Sequence, residues 1–446
     1  MMKLDLLNIL KCPYCGANFK VYKIISEENG DILNGFINCR CSKFMILEGI
    51  LNLKQSPLNS YLKKLLANKK QKTAIAMSLL EKNESIFYIV KFLGVQKKPI
   101  KFLKDILLFL LKFRLKSIYR KYFDESISFF NSLGSESYDI YLKHRYSMET
   151  FWSIYPFISL LKPNKGIFLD LCCGTGHSSF IISNYINPSK HICIDSNFKN
   201  LYLAKKYFVK DASYICFDIN YPLPFKTNIF SAILIQDAFY LILNRTLLIK
   251  EIERTLRSEG LFLLLSLPNS LRYYLGTGGP LSPEGWKNLF NQFPVKLIPE
   301  IDLIKNFVLM NKLDLKKEYS NSELKSSNNI AIIGSKCESF FKIYMNVDKA
   351  FFEKKDKLLL NPLYGITYDK DKLKLKRLFP NERFKEQYPL SVKYLPENFI
   401  IDKELSKFIE ERYLNLKSSE ISSDYLLKIE YLMKKFILIN VPKNFY

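Results

Sequence analysis

Between residues 166 and 269 the chain contains five short apolar segments, each of which ends in a polar residue. Loops and helix-like segments separate them, and this alternation is typical of parallel strands that are buried on both faces. Two further apolar segments begin at Val295 and Asn329. The pattern therefore predicts an α/β fold with a Rossmann-like, doubly wound sheet of seven strands over residues 138–340.

A glycine-rich turn follows the first of these segments, and the run Asp170 to Gly176 reads Asp-Leu-Cys-Cys-Gly-Thr-Gly. Glycine lets the backbone approach a ligand closely, and a helix beginning after the turn offers unpaired N–H groups. Nineteen residues after Gly176, Asp195 occupies the position where a carboxylate can accept both hydroxyls of a ribose. A nicotinamide-binding domain is the competing interpretation, but Ser179 stands where its third glycine is expected.

Taken in order, the five segments resemble the class I S-adenosylmethionine-dependent methyltransferases, in particular the small-molecule branch that includes quinone-biosynthesis enzymes. The resemblance implies that S-adenosyl-L-methionine is the cofactor, with its methionine part at the glycine turn, its ribose at Asp195 and its adenine at Asp218. Cys172 stands where the family usually has its first glycine. The implied cofactor-binding residues are Asp170, Cys172, Gly174, Gly176, Asp195, Asp218 and Ile219.

Methyl transfer from a sulfonium is an in-line displacement, so positioning can supply most of the catalysis and a base is optional. Asp237 and Tyr240 follow the fourth segment, which faces the methyl group in this fold, and they are the candidate catalytic residues. His144 and His177 are more remote options. The alternative interpretation is that Asp237 caps the following helix and Tyr240 packs. The chain has no Pro-Pro or Pro-Cys pair, which excludes the usual motifs of adenine-amino and cytosine-C5 methyltransferases.

Four cysteines lie in the first 41 residues, as Cys12-Pro-Tyr-Cys15 and Cys39-Arg-Cys41. Two such pairs can direct four thiolates at one tetrahedral zinc ion, so a structural Zn²⁺ is predicted. Residues 1–53 resemble the zinc-ribbon family that activates tRNA and release-factor methyltransferases as a separate small subunit. A similar ribbon precedes the catalytic domain of certain rRNA guanine methyltransferases, so the ribbon does not identify the substrate.

The formal net charge is +24, and residues 54–121 alone hold 17 basic and 3 acidic side chains. The region 54–137 is predicted to be helical, with a basic amphipathic helix within 99–123. Such a helix can contact a membrane surface or phosphates, or it can simply pack on its own protein. The longest apolar runs have about six residues against the roughly twenty that span a bilayer, so no transmembrane segment is predicted. The scattered cysteines and the lack of a signal peptide lead us to expect a cytoplasmic protein.

Residues 341–446 are predicted to form a mixed, mainly helical extension, with helices over 403–414 and 423–439 and no chemical motif. The sequence favours a methyltransferase acting on a small-molecule or lipid-like acceptor. The first alternative is an RNA methyltransferase that uses the ribbon and basic helices to hold RNA. The second is a non-catalytic scaffold that keeps the fold and the zinc.

Overall fold

The computed structural model describes most of the chain: residues 2–80, 115–134, 136–163, 166–272, 274, 276–290, 293–347, 358–369, 372–410, 412–414 and 422–446. Residues 99–114, the larger part of the predicted amphipathic helix, lie outside the described residues. Within the described parts of the chain, every helix is too short or too polar to span a bilayer.

The central sheet has eleven strands, in the order β1-β2-β3-β4-β7-β6-β5-β8-β9-β12-β10. Its strands are β1 Lys20–Glu28, β2 Asp31–Asn38, β3 Lys43–Leu47, β4 Ile50–Asn52, β5 Ile167–Leu171, β6 Lys190–Asp195, β7 Ser213–Cys216, β8 Phe230–Gln236, β9 Leu256–Pro268, β10 Val295–Pro299 and β12 Asn329–Ser335. The strands from β4 through β9 pair in parallel, whereas β12 is antiparallel to both β9 and β10. The Rossmann-like fold predicted from sequence is confirmed, and all seven predicted strands are present.

The N-terminal ribbon continues this sheet. Its last strand, β4, pairs in parallel with β7, and two backbone hydrogen bonds join Ile9 and Lys11 to the loop around Pro224. Tyr14 donates a hydrogen bond to the carbonyl of Leu53 at 3.0 Å. The ribbon is thus attached at the edge of the sheet next to Asp218.

Buried side chains of the parallel strands alternate between two cores, one on each face of the sheet. Phe168 and Tyr214 belong to one core, while Leu169 and Ile215 belong to the other. Strand β8 is buried along its whole length, as expected for a central parallel strand covered on both faces.

Helices cover both faces and build the N- and C-terminal regions. The α-helices are Pro57–Ala67, Gln71–Ser78, Phe129–Ser132, Ser137–His144, Glu149–Trp152, Ile158–Leu161, His177–Ile181, Phe198–Leu203, Arg245–Thr255, Pro283–Asn288, Glu300–Met310, Asn321–Ser326, Glu382–Gln387, Pro389–Tyr394, Lys403–Ser406 and Ser423–Lys434. The first begins with Pro57 after Ser56, whose side chain accepts a hydrogen bond from the N–H of Asn59. Two helices continue as π-helical turns, Ile182–Ile186 and Ala204–Phe208.

The C-terminal extension contains more strand than its sequence predicts. The remaining strands are β11 Lys312–Asp314, β13 Ile343–Met345, β14 Leu358–Leu360, β15 Tyr364–Asp369, β16 Lys372–Arg377, β17 Asn398–Ile401, β18 Ile409–Glu410, β19 Tyr413–Leu414 and β20 Leu438–Asn440. The prediction of one helix over 403–414 is wrong, because the helix ends at Ser406 and two short strands follow. The predicted helix at 423–439 ends at Lys434, and β20 follows it.

This extension packs on the methyltransferase-like part through buried contacts. The ring of Phe436 stacks on that of Trp152, with centroids 4.1 Å apart and planes 1° from parallel. The hydroxyl of Ser147 donates to the carbonyl oxygen of the Asn361 side chain at 2.7 Å. The two regions therefore share one hydrophobic core.

Candidate active site

A cavity of about 1220 Å³ lies over the carboxyl ends of β5, β6, β7 and β8. Strand β5 sits between β6 and β8, so the order of the sheet reverses there, and such a switch point opens a crevice for a ligand. The volume exceeds the roughly 300–1,000 Å³ usual for a site that holds one small ligand. The cavity is large enough for a cofactor and an acceptor together.

The glycine turn forms the floor of the cavity. Cys172, Gly174 and Gly176 all adopt left-handed backbone conformations, with φ of 57°, 55° and 94°. Cys172 adopts this left-handed conformation although it has a side chain. Glycine is the residue that usually provides this conformation. The turn ends at the helix His177–Ile181.

Three carboxylates at successive strand ends line one half of the cavity, which we call the cofactor half. Asp195 accepts the N–H of Gly174 on Oδ2 at 3.0 Å and the N–H of Asn197 on Oδ1 at 2.7 Å. Asp218 accepts two hydrogen bonds from Asn220 on Oδ1, at 3.0 and 2.9 Å. Each carboxylate oxygen has two lone pairs and can accept more than one hydrogen bond.

Asp170 is 1% exposed and accepts a 2.6 Å hydrogen bond from the hydroxyl of Ser179. Burial raises the pKa of its carboxyl group to about 7, because the charged form loses hydration. Ile219, beside Asp218, is buried and also lines the cavity. Six of the seven residues predicted for the cofactor therefore line one cavity, and the seventh, Gly176, belongs to the turn without lining it.

Asp237 follows β8 and is held by three donors. Its Oδ2 atom lies 3.0 Å from Nη1 of Arg145 and accepts the hydroxyl of Tyr141 at 2.9 Å. Its Oδ1 atom accepts the hydroxyl of Tyr240 at 3.2 Å. The helical turn that follows begins after Ala238, without a side-chain cap, so Asp237 does not serve as a helix cap.

The phenols around Asp237 stay protonated at neutral pH. Burial raises the pKa of both Tyr141 and Tyr240, and the negative charge of Asp237 adds to the effect. Of the two histidines considered from sequence, His177 lines the cavity and His144 does not. His177 is buried with its ring nitrogens near the hydroxyl of Thr175 and the carbonyl of Leu142.

The second half of the cavity, the acceptor half, is built partly by a segment whose role the sequence did not indicate. Residues 381–388, which include the helix Glu382–Gln387, line the cavity opposite the loop after β8. The helix Ser137–His144 and the residues Tyr274, Gly276 and Thr277 form the other walls. Chain order gives no signal for this arrangement, because residues 381–388 lie more than 140 positions after Asp237.

The four N-terminal cysteines come together as predicted. Their sulfur atoms all lie within 4.8 Å of one another, and three pairs are 3.5, 3.7 and 3.8 Å apart. These separations are too long for a disulfide bond, which needs about 2.05 Å. A tetrahedron of thiolates with zinc–sulfur bonds of about 2.3 Å has edges of about 3.8 Å, so the geometry fits a zinc ion.

Residues 169–264 match the family model described as a methyltransferase domain. This match covers the glycine turn and the ends of β6, β7 and β8. The chain thus carries a class I, S-adenosylmethionine-dependent methyltransferase domain, and the enzyme class predicted from sequence is confirmed. No curated protein is significantly similar in sequence to the whole chain.

Several solved structures are similar to this chain over half of its length or less. A chain of the complex between the Haloferax volcanii Trm112 methyltransferase activator and a putative methyltransferase is 14% identical, with 41% of this chain and 89% of that chain covered and a TM-score of 0.32. A TehB-like methyltransferase from Corynebacterium glutamicum is 14% identical, with 42% and 88% covered and a TM-score of 0.31. The plantazolicin methyltransferase BpumL, solved with a substrate analogue and S-adenosylhomocysteine, is 17% identical, with 50% and 99% covered and a TM-score of 0.33.

Proposed function

Because the chain carries an S-adenosylmethionine-dependent methyltransferase domain, we propose that it transfers a methyl group to a small-molecule or lipid-like acceptor. One observation carries the proposal. A single cavity holds the carboxylates of the cofactor half and, next to them, a separate half with aromatic walls. The cavity is closed on several sides by segments of the same chain, which suits an acceptor that fits inside it.

The cofactor residues have distinct proposed roles. Asp195 accepts the ribose hydroxyls, while Asp218 and the backbone of Ile219 contact the adenine. Asp170 and Gly174 line the methionine end, where the buried carboxyl group offsets positive charge. When bound, S-adenosylmethionine supplies a methyl group that is already activated by the sulfonium charge.

Asp237 and Tyr240 are proposed to position the acceptor. The carboxylate of Asp237 is fixed in orientation by two hydrogen bonds from tyrosine hydroxyls and an ion pair with a guanidinium group. The buried Tyr240 remains a donor at neutral pH. The reaction then depends mainly on alignment, which suits a displacement on an activated methyl group.

We also propose that Cys12, Cys15, Cys39 and Cys41 bind a structural zinc ion. The sulfur separations and the four-thiolate donor set support this, because closed sites of this kind are usually structural. The hydrogen bonds between the ribbon and the loop around Pro224 suggest that zinc supports the adenine end of the cavity.

The function is tested by incubating the protein with S-adenosylmethionine labelled in its methyl group and three extracted pools: water-soluble metabolites, lipids and RNA. Label is expected in the metabolite or lipid pool and not in RNA. The Asp195→Ala variant, which should not bind the cofactor, is the control for background. Label confined to RNA would contradict the proposed acceptor class, and no label in any pool would favour the scaffold alternative.

A further inference from the structure

The acceptor half of the cavity is lined by tyrosines from four separate segments. Tyr141 comes from the helix Ser137–His144, Tyr240 from the loop after β8, Tyr274 from the loop after β9, and Tyr388 from the C-terminal extension. Tyr138 lies on the same helix as Tyr141, but its hydroxyl accepts a hydrogen bond from Asn200, on the side of the cofactor half. The rings of Tyr138 and Tyr141 are stacked, with centroids 6.0 Å apart. Those of Tyr240 and Tyr274 meet edge to face at 5.8 Å. This arrangement presents several aromatic faces to one small space.

The lining of the cavity has more acidic than basic groups, whereas the whole chain has more basic than acidic side chains. The protein has 67 basic and 43 acidic side chains, yet five carboxyl groups and only two guanidinium groups line the cavity. The carboxyl groups are those of Asp170, Asp195, Asp218, Asp237 and Glu386, and the guanidinium groups are those of Arg145 and Arg383. No lysine of the described segments takes part in this lining. The cavity therefore disfavours anionic groups such as phosphate or carboxylate.

The guanidinium group closest to the reaction centre is already neutralised. Arg145 is 5% exposed, pairs with Asp237 at 3.0 Å and donates to the hydroxyl of Thr150 at 2.7 Å. Asp237 in turn contacts Arg145, Tyr141 and Tyr240. An acceptor whose nucleophile must be deprotonated by a strong base would find none among these residues.

We propose that the acceptor is a small amine that carries an aromatic ring, and that the tyrosine-lined half closed by Tyr388 selects it. This inference rests on the proposed function and assigns a substrate class to the same site. Aromatic faces recognise an amine or ammonium group, and outside the three carboxyl groups of the cofactor half the two guanidinium groups of the cavity are matched by the carboxyl groups of Asp237 and Glu386. A phosphate-rich acceptor such as RNA fits neither feature.

An amine also matches the lack of a base. A bound ammonium group first loses a proton to water, and the nitrogen lone pair then forms the new N–C bond while the S–C bond breaks and its electron pair returns to sulfur. The product nitrogen carries the positive charge and releases a proton to water. The tyrosine faces and the surrounding carboxylates stabilise that charge, and no side chain of the protein needs to change its protonation state.

The test is a calorimetric titration on protein first saturated with S-adenosylhomocysteine. Saturation itself reports on the proposed function, and the second titration reports on the acceptor class. The probes are 2-phenylethylamine, 2-phenylethanol and phenylacetate, which share a ring and differ in the polar group. The amine is expected to bind at least about tenfold more tightly than either of the others. Equal or tighter binding of the alcohol or the carboxylate, or binding of a short single-stranded RNA instead of the amine, would overturn the proposal.

Variants of Tyr388 test the aromatic wall without touching the cofactor half. Tyr388→Leu is expected to weaken binding of the amine by about fivefold or more, with unchanged affinity for S-adenosylhomocysteine. Tyr388→Phe keeps the ring and should retain amine binding even if the leucine variant folds poorly. Tyr368→Leu, at a 67% exposed position of the same extension, is the matched control. Amine affinity that is unchanged in Tyr388→Leu, or lost in Tyr388→Phe, would contradict the role of the ring.

Discussion

Gly174 and Gly176 share a left-handed backbone but differ in what surrounds them. A Cβ atom at Gly176 would lie 2.9 Å from the Cβ of Ala204, whereas one at Gly174 would meet nothing within 4 Å. Gly174 lines the cavity, so its missing side chain leaves room for a ligand. We therefore expect the first glycine to serve ligand binding and the second to serve packing.

Alanine variants separate these two requirements. Gly176→Ala combines a left-handed alanine with a steric clash and is expected to lower the free energy of unfolding by about 2–4 kcal/mol. Gly174→Ala carries only the backbone cost, about 1–2 kcal/mol, but should weaken S-adenosylhomocysteine binding. Urea unfolding and calorimetry on both variants measure the two effects. Equal stability losses in the two variants would contradict the assignment.

Asp195→Ala removes the proposed ribose acceptor. Two charge-assisted hydrogen bonds contribute about 1.5–3 kcal/mol each, so cofactor affinity is expected to fall at least about 100-fold. Asp211→Ala, at an exposed position outside the cavity, is the matched control. Equilibrium dialysis with S-adenosylmethionine measures the affinities, and circular dichroism checks that both variants are folded. An unchanged affinity in Asp195→Ala would refute the ribose assignment.

Asp170 should make cofactor affinity depend on pH. Burial raises its pKa to about 7, so it is largely protonated at pH 6 and largely ionised at pH 8. A cationic ligand favours the ionised form, and affinity is therefore expected to rise between pH 6 and pH 8 with release of a proton. Calorimetry in two buffers of different ionisation enthalpy measures that release. The Asp170→Asn variant should lose this pH dependence, and retention of it would mean that another group is responsible.

At the scale of elements, Glu149 holds the start of the helix Pro389–Tyr394. Its Oε2 atom accepts the N–H groups of Leu390 and Ser391, and all of these groups are buried. Free N–H groups at a helix start need such a partner. One side chain of the methyltransferase-like part thus fixes the helix next to Tyr388, which belongs to the acceptor wall.

Glu149→Ala leaves two buried N–H groups without their acceptor and should destabilise the extension by about 2–4 kcal/mol. Glu149→Gln keeps a carbonyl acceptor and should be milder. The lower stability is expected to appear as earlier proteolytic cleavage within residues 381–446. Gel analysis of the digest measures this cleavage. Cleavage equally distributed along the chain in the alanine variant would contradict a local anchoring role.

The contribution of Glu149 to the stability of the protein is expected to depend on pH. Burial raises the pKa of Glu149 to about 8, against roughly 4.3 in an unfolded chain. The folded state therefore binds more protons, and the stabilising contribution present below about pH 4 is lost as the pH rises toward 8. Relative to Glu149→Gln, the wild-type protein should lose stability between pH 5 and pH 8 in urea unfolding. A constant difference between the two proteins would show that Glu149 does not titrate in this range.

Elements with a strong local signal could be predicted from the sequence, and those that depend on distant partners could not. All seven strands of the Rossmann-like sheet were predictable because each contains a short, mainly apolar segment between loops or helices. The residues 403–414 alternate charged and apolar side chains without a clear period, so the change from helix to β18 was missed. The wall formed by residues 381–388 depends on contacts with Glu149 and the core around Trp152, and no local pattern reports them.

At the scale of the whole molecule, the ribbon, the sheet and the extension all meet around one cavity. The ribbon joins the sheet at β7, beside the proposed adenine end, and the extension closes the acceptor half. The regions predicted from sequence are therefore expected to contribute to one function, although they differ in composition. Function is expected to respond to changes in either terminal region.

Loss of the proposed zinc ion is expected to weaken binding at the cofactor half of the cavity. Cys12→Ser removes one of four thiolates, so the protein is expected to lose its bound zinc and to bind S-adenosylhomocysteine more weakly. Cys337→Ser, a half-buried cysteine far from the cluster in sequence, is the control and should keep both. On the same samples, elemental analysis measures the zinc content and calorimetry measures the affinity for S-adenosylhomocysteine. Full zinc content in Cys12→Ser would contradict the four-thiolate site.

The central claim is that the cavity over β5 to β8 binds the methyl donor and its product. The most direct test is calorimetric titration of S-adenosylmethionine and S-adenosylhomocysteine into the folded, zinc-loaded full chain. We expect both to bind one site per chain with dissociation constants of roughly 1–100 μM, within the range usual for enzyme substrates. No binding of either compound to such a sample would contradict the account and favour a methyltransferase-like scaffold that transfers nothing.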